Sequence, residues 1–211
     1  MSQTCGMMGP MPRINAASVK EHRAAMTQKL VDAAEELLRD GDVSALTAGA
    51  VTASAGIARN SLYRYVDSVD GLRAAVVARH LPQWVAQVED AVAAADTPEA
   101  KLYAYLESNI SAAAVSGHGW LMKLARGLSR EALAQVAGAH ESLAGMLISQ
   151  CRAIDPAGIT LTAAYVQAIL EASFDRVDAG DDPTMVQARC VEAVAAIVAA
   201  RKTARDQSGT P

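Results

Sequence analysis

Apolar residues recur along the chain at intervals of three and four, which is the spacing of amphipathic α-helices. The first stripe of this kind contains Met26, Leu30, Ala34 and Leu38. Short interruptions rich in glycine, proline, serine or aspartate divide the pattern into segments. Helices are therefore predicted over residues 18–39, 47–53, 57–65, 70–92, 97–116, 120–128, 129–153, 156–179 and 183–202, with a bend or a break at Pro82.

Composition favours an all-α protein. The 211 residues include 45 alanines but only eight aromatic residues, a mixture rich in the best helix former and poor in strand-favouring side chains. With 51% hydrophobic and 20% charged residues, the chain has an ordinary globular composition. Its longest strongly apolar run, residues 194–200, is far shorter than the roughly 18–20 residues that span a bilayer, so the sequence does not predict a membrane protein.

The cysteines and the first residues indicate the compartment. Residues 1–11 lack a positive charge and a continuous apolar core, so they do not predict a secretory signal. Cys5, Cys151 and Cys190 are widely spaced and form no CxxC pair, which argues against a disulfide framework and against a zinc site. We expect a cytoplasmic protein with no metal and no cofactor, in which the cysteines serve in packing.

Positive charge is concentrated near the N-terminus. Residues 1–80 contain nine lysines and arginines against eight aspartates and glutamates, whereas residues 81–211 contain ten against fifteen. Within the first 30 residues, Arg13, Lys20, Arg23 and Lys29 face only Glu21. Such a stretch can rest against phosphates, although a solvated helix face has the same composition.

Two short helices joined by a tight turn are predicted between residues 47 and 65. Thr47 is placed to cap the first helix, and Ser54-Ala55-Gly56 forms the turn, which is the helix-turn-helix pattern of DNA-binding proteins. In a major groove, Arg59 can contact guanine and Asn60 can contact adenine or a phosphate. Ser61, Tyr63 and Arg64 can hold the backbone. The alternative is a surface hairpin whose polar residues are simply solvated.

The ordered motifs over residues 20–77 resemble the DNA-binding headpiece of the TetR family of transcriptional regulators. The resemblance rests on the helix from Leu30 to Leu38 ending at Asp40-Gly41, then Leu46-Thr47, Ala55-Gly56-Ile57, Ser61-Leu62-Tyr63-Arg64-Tyr65 and Gly71-Leu72. It implies that Thr47, Ser61 and Tyr63 grip phosphates and that Arg59 and Asn60 face base edges. It also implies a ligand-responsive regulator, a repressor that binds a palindromic operator as a homodimer and is released by a small-molecule effector.

Two residues depart from the family pattern. Val66 stands where the family usually has Phe, and Val69 stands where it usually has Lys at the start of the next helix. The missing lysine removes an expected phosphate contact, which lowers the salt dependence of binding by about 0.9 counterions for each chain. The basic residues Arg13, Lys20 and Arg23 could compensate for this loss.

Beyond the headpiece, the sequence predicts a second helical domain. We expect a flexible arm over residues 1–17, the DNA-binding domain over 18–68, an effector-binding and dimerisation domain over 69–203 and a flexible tail over 204–211. One recognition helix reads few bases, so two copies about 34–36 Å apart are needed, which requires a dimer. The stripes on the last two long helices are the predicted interface, unless they pack inside one chain: Leu161, Tyr165, Ala168, Ile169, Ala172, Met185, Arg189, Ala193, Ala196 and Ile197.

Aromatic residues, methionines and a few polar residues cluster in the second domain, a mixture that commonly lines a ligand cavity between helices. Taken singly, a residue of these types is more often part of a core than of a pocket. The predicted effector-binding residues are Tyr105, Asn109, Trp120, Met122, His140, Met146, Tyr165 and Phe174.

No enzyme motif accompanies these features. The sequence lacks a GxSxG elbow, a GxGxxG loop and a histidine-glutamate helix with metal spacing, so no catalytic residues are assigned. Glu35-Glu36 is expected on a solvated segment rather than in a site with facing carboxylates. The alternative to a DNA-binding regulator is a dimeric helical module that binds a small molecule or a protein without reading DNA, as the acidic total charge allows.

Overall fold

The computed structural model describes residues 16–39 and 42–208. In this part of the chain every regular element is helical, with eight α-helices and two short 3-10 helices, η1 and η2. The elements are α1 Ala16–Leu37, η1 Val43–Ala45, α2 Ala48–Ser54, η2 Arg59–Arg64, α3 Val69–Ala93, α4 Pro98–Ser116, α5 His118–Ala125, α6 Arg130–Ile154, α7 Ile159–Asp178 and α8 Pro183–Ser208. The all-α prediction is confirmed.

Local side-chain chemistry sets several helix starts. The hydroxyl oxygens of Thr47, Ser68, Thr97 and Ser129 each accept a hydrogen bond from the amide three residues later, at 2.8–3.2 Å. These bonds satisfy amides that have no partner within the helix. Gly117 ends α4 in the left-handed conformation, with φ of 68°, which only glycine adopts without strain.

Two hydrophobic cores hold the helices together, and α3 belongs to both. The N-terminal core joins α1, α2, η2 and the first half of α3 through side chains that include Leu30, Leu38, Val51, Leu62, Leu72 and Val76. The C-terminal core joins the second half of α3 to α4, α6, α7 and α8. The two cores therefore share one continuous 25-residue helix.

Several predicted helix bounds near the N-terminus need correction. The segment expected as a helix over residues 57–65 is a six-residue 3-10 helix, Arg59–Arg64, which is wound more tightly than an α-helix. α3 continues through Pro82 without a break, because Pro82 lies on the exposed side, where water can serve the carbonyl that loses its amide partner. Asp40 and Gly41, predicted to end the first helix, lie outside the described residues.

The later helices also differ from the sequence pattern. α7 begins at Ile159 rather than at Pro156, because the Asp155 carboxylate accepts hydrogen bonds from Gly158 N and the Thr162 hydroxyl. α5 begins at His118 and ends before Gly127, whose φ is 74°. α8 continues past Lys202 to Ser208, and Lys202 forms an ion pair with Glu99.

One described helix meets the length and hydropathy of a membrane span. This is Pro183–Thr203 within α8, although its longest uninterrupted apolar run is short. One face of the helix places Val186, Cys190 and Val194 in the C-terminal core, and the opposite side carries an ion pair between Arg189 and Glu192. The helix is thus packed as part of the bundle.

Candidate nucleic-acid interface

The first short helix of the headpiece, α2, is fixed at both ends. Thr47 caps its start by accepting a hydrogen bond from Ala50 N at 3.1 Å. Val51 is fully buried, and the Thr52 hydroxyl donates to the carbonyl oxygen of Ala48 at 2.7 Å. A helix of seven residues is unstable alone, so these contacts are what keep α2 in place.

A tight turn then sets the direction of η2. Gly56 has a φ of 64°, and the amide of Ile57 reaches back to the carbonyl oxygen of Thr52 at 3.0 Å. Ala55 before the glycine is buried. A side chain at Gly56 would strain this backbone, so the glycine is required for the angle between α2 and η2.

The second short element, η2, has one buried anchor and an exposed polar surface. Leu62 is fully buried in the N-terminal core, whereas Tyr63 is 62% exposed. Arg59, Asn60 and Arg64 are exposed, and Ser61 is half-buried. The predicted DNA-contact residues therefore lie together on η2, with Thr47 exposed at the start of α2.

The charge on this surface is not neutralised by the protein. Arg59 and Arg64 form no ion pair with any residue of 16–39 or 42–208. Lys20 and Arg23 are exposed on α1, while Arg13 lies outside the described residues. Free guanidinium groups on an exposed element suit phosphate and base-edge acceptors.

Contacts that the sequence did not predict hold α1 against α3. The Arg79 guanidinium donates to Glu35 Oε2 at 2.5 Å and to Asp32 Oδ1 at 2.7 Å. His80 Nε2 lies 3.1 Å from Glu35 Oε1. Glu35 is thus a partly buried partner of α3, which corrects the expectation of a purely solvated pair with Glu36; the spacing of 44 residues left no local signal.

A second set of contacts ties α5 to its neighbours. The Trp120 indole Nε1 donates to the carbonyl oxygen of Leu38 at 2.7 Å, and its ring meets His80 edge to face. In the same first turn of α5, the Asp178 carboxylate accepts from Gly119 N at 2.8 Å and lies 2.9 Å from His118 Nδ1. α5 therefore connects the end of α7 to the end of α1.

The eight predicted effector-binding residues do not all come together. Tyr105, Asn109 and Phe174 are buried, and Trp120 and Met146 border the C-terminal core. Met122, His140 and Tyr165 are exposed on three different helices, because their sides of the amphipathic pattern face outward. The sequence prediction chose residues of types that commonly line ligand cavities, but it did not distinguish the inner face of each helix from its outer face.

The buried amide of Asn109 already has partners. Asn109 Oδ1 accepts from Trp84 Nε1 at 2.9 Å, and Asn109 Nδ2 donates to the carbonyl oxygen of Tyr105 at 2.8 Å. Burial, with a smaller effect from neighbouring Cys151, raises the pKa of Tyr105 to about 12. His118 stacks on Phe174 with ring centroids 4.5 Å apart. These contacts form a polar and aromatic centre within the bundle.

Two surface cavities lie near the boundary between the cores. A cleft of about 500 Å³ between α1, α3 and the start of α5 is lined by Trp120 together with Asp32, Glu35, Arg39 and Arg79. A groove of about 340 Å³ runs between α3 and α6. Of the eight predicted effector-binding residues, Trp120 lines the cleft and none lines the groove.

Most of the predicted dimer residues lie on the outer side of α7 and α8. Leu161, Tyr165 and Met185 are each more than half exposed. The inner faces use other residues, such as Val166 and Leu170 on α7. Ala168, Ala172, Arg189, Ala193 and Ala196 are also exposed there, and Ile197 is half-buried. Ile169 is half-buried and packs against the C-terminal core, so it does not share this outer surface.

The described residues contain no group of three or more histidine, cysteine, aspartate or glutamate side chains placed to hold a metal ion. Cys151 and Cys190 are buried free thiols. Burial raises the pKa of Cys151 to about 11 and also raises the pKa of Cys190. Cys5 lies outside the described residues.

Comparison with known proteins adds to this geometry. Residues 30–76 match the family model of the bacterial regulatory proteins, tetR family. The fold is similar to a TetR-like transcriptional regulator from Rhodococcus sp. RHA1, with a TM-score of 0.63 and 21% identity, covering 86% of this chain and 97% of that chain. A comparison with curated proteins found no match.

Two further solved structures share the fold. The TetR family transcriptional regulator PfmR from Thermus thermophilus has a TM-score of 0.60 and 17% identity, covering 78% of this chain and 96% of that chain. The transcriptional regulator FadR from Bacillus subtilis, in complex with stearoyl-CoA, has a TM-score of 0.62 and 15% identity, covering 79% and 96%. Residues 30–76 therefore match the N-terminal domain of the bacterial regulatory proteins, tetR family, and the described chain shares the overall fold of these solved structures.

Proposed function

We propose that the chain is a transcriptional repressor that binds a palindromic operator as a homodimer and releases it when a small-molecule effector binds. The observation that carries the proposal is the exposure of Arg59, Asn60 and Tyr63 around the fully buried Leu62. Such an element, fixed by one core side chain and presenting polar groups outward, is suited to a major groove.

The side chains of η2 divide into those that read bases and those that hold the backbone. Arg59 can donate two hydrogen bonds to O6 and N7 of guanine, and Asn60 can pair with N6 and N7 of adenine. Contacts to phosphates fix the register of the protein without reading sequence. We assign that role to Thr47, Ser61, Tyr63 and Arg64.

A homodimer supplies the second recognition element. The outer surface of α7 and α8 exposes Leu161, Tyr165 and Met185 among small alanines. Small residues allow helices to approach closely, so two chains joined here would form a four-helix bundle with twofold symmetry. A twofold dimer reads a palindrome.

The effector, in this proposal, acts through α5. Asp178 of α7 holds the first turn of α5, and Trp120 of α5 holds Leu38 of α1. An effector that binds the C-terminal bundle only when α5 is displaced would move the headpiece and change the spacing of the two η2 elements. Tyr105, Asn109, Trp120 and Phe174 are the proposed contacts nearest this path.

The functional division that we propose places DNA binding in residues 18–68 and effector binding and dimerisation in residues 69–203, flanked by an arm over 1–17 and a tail over 204–211. We place the protein in the cytoplasm, since the free thiols of Cys151 and Cys190 suit a reducing compartment.

Selection of duplexes from a randomised DNA library tests this function. The full chain should enrich a palindrome, and gel shifts on the enriched duplex should show binding that Arg59→Ala weakens. A thermal-shift screen then identifies effectors that release the duplex, acyl-CoA compounds included because one structural neighbour was solved with stearoyl-CoA. Failure to enrich any sequence, together with dimers in solution, would support the module that does not read DNA.

A further inference from the structure

Three exposed cations lie where α5 ends and α6 begins. Lys123, Arg126 and Arg130 are exposed, and none of them forms an ion pair with a residue of the described ranges. Glu131 is the only acidic residue in residues 123–131, the segment that we name the α5–α6 corner, so its net charge is +2. The corner is basic within a part of the chain that is acidic as a whole.

Packing places this corner beside the headpiece. Leu124 is fully buried in the N-terminal core, among side chains of α1, η2 and α3. Leu128 and Ala132 form a separate buried cluster with Ala74 of α3. The apolar side chains of the corner thus pack against the first half of α3. The cations of the corner remain on the surface.

The distance from the corner to the start of α3 is short. Ala74 lies five residues after Val69, the first residue of α3, which is about 7.5 Å along a helix axis. The start of α3 follows η2 directly along the chain. Extended lysine and arginine side chains on the corner can span a distance of this size.

The start of α3 supplies no free positive charge of its own. Val69 is half-buried against the N-terminal core, and Asp67 and Asp70 flank it. Arg73 is buried, and its guanidinium lies 3.1 Å from Asp70 Oδ1. A DNA backbone near this end of α3 would therefore meet negative charge unless another element brought cations to it.

We propose that Lys123, Arg126 and Arg130 contact backbone phosphates of the DNA that flanks the bases contacted by η2. This inference rests on the proposed DNA-binding function and adds a contact from outside the headpiece. Because phosphates carry no sequence information, these contacts strengthen binding to every duplex alike.

A matched pair of variants on one helix tests the corner. Arg130→Gln removes a corner cation, and Arg152→Gln removes an exposed cation 22 residues away on α6, about 33 Å distant. Affinity is measured by fluorescence anisotropy from 50 to 200 mM KCl, with a mixed-sequence 40-base-pair duplex and with the duplex enriched by selection. Thermal melting confirms that each variant is folded.

Arg130→Gln should weaken binding to both duplexes by the same factor and reduce the salt slope by about 0.9 for each phosphate that the protein no longer neutralises. Over the fourfold rise in salt, the factor by which affinity falls is then about 3-fold smaller for the variant than for the wild type. The triple variant Lys123→Gln, Arg126→Gln, Arg130→Gln should lose about three times as much slope. Arg152→Gln should match the wild type.

Three results would overturn the inference. The first is an unchanged salt slope of DNA binding in the triple variant, and the second is an equal loss of DNA affinity in Arg130→Gln and Arg152→Gln. The third comes from a separate assay with phosphatidylserine vesicles: a triple variant that loses binding to the vesicles but keeps wild-type DNA binding. In each case Arg59→Ala can still abolish sequence preference, which would leave the proposed function standing. A wild type that binds neither duplex at 50 mM KCl would overturn both.

Discussion

The indole Nε1 of Trp120 donates a hydrogen bond to the carbonyl oxygen of Leu38, at 2.7 Å. These residues lie 82 positions apart, one on α5 of the C-terminal domain and the other at the end of α1 in the headpiece. A helix end has carbonyl oxygens without intrahelical partners, so the indole satisfies a group that would otherwise need water. The bond makes the position of α1 depend on the position of α5.

Trp120→Phe should loosen the end of α1. Loss of the bond should lower the free energy of unfolding by about 1 kcal/mol and speed hydrogen exchange at the Leu38 and Arg39 amides. Trp84→Phe is the matched control, because it removes the indole bond to Asn109 deep in the C-terminal core. Faster exchange at these two amides in both variants, or in neither, would show that Trp120 does not position α1.

Leu62→Ala should destabilise the headpiece. Leu62 is fully buried, so truncation should cost about 2–5 kcal/mol of unfolding free energy and weaken DNA binding by disordering η2. The neighbouring Tyr63→Ala removes a larger but exposed side chain and should change stability by no more than about 0.5 kcal/mol. Chemical denaturation of both variants measures the difference, and equal stability losses would contradict the assigned anchor.

Ala168→Glu should separate the dimer. The residue is exposed in the single chain, so the charge costs little in folding, but two copies facing each other across a twofold interface would repel and remain hydrated. Sedimentation equilibrium should show a monomer with weaker operator binding. Ala144→Glu, an exposed change on α6, should leave the dimer intact. A dimeric Ala168→Glu chain would place the interface elsewhere.

The two buried thiols should resist modification in the folded protein. Burial raises the pKa of Cys151 to about 11, so at pH 8 about one molecule in a thousand carries the reactive thiolate. A Cys5→Ser background leaves only Cys151 and Cys190. An aromatic disulfide reagent should react with neither thiol until guanidinium unfolds the chain, when both should react.

The same pKa shift gives stability a pH dependence. The folded state favours the neutral Cys151 thiol over the thiolate. The contribution of this thiol to the free energy of unfolding is therefore complete below the unfolded pKa of 9.0 and is lost as pH rises towards 11. Unfolding midpoints should therefore fall over this range by more in wild type than in Cys151→Ala. Rapid labelling of a thiol at pH 8 in the folded chain would contradict the burial assigned here.

Local chemistry explains what the sequence could predict. Thr47 was identified as a helix cap because one hydroxyl and the amide three residues later are sufficient for the cap. The turn at Gly56 depends on neighbours within a few residues, so the boundary between the two short helices of the headpiece was accessible.

Contacts between distant segments were not accessible in the same way. The pairs Arg79–Glu35, Trp120–Leu38 and Gly119–Asp178 join residues 44–82 positions apart, and each residue type also occurs on solvated surfaces. Likewise, aromatic and methionine side chains occur both in cavities and on surfaces. Residue type alone therefore did not show that Tyr165 and Met122 are exposed. Only the three-dimensional packing decides between these outcomes.

The central claim is that Arg59 of η2 reads a base. The most direct measurement is a double-mutant cycle on the enriched duplex, in which each guanine is replaced in turn by 7-deazaguanine and bound by wild type and by Arg59→Ala. At one guanine, the loss of N7 should cost wild type about 1–3 kcal/mol and cost Arg59→Ala almost nothing. Equal losses for the two proteins at every guanine would contradict the claim.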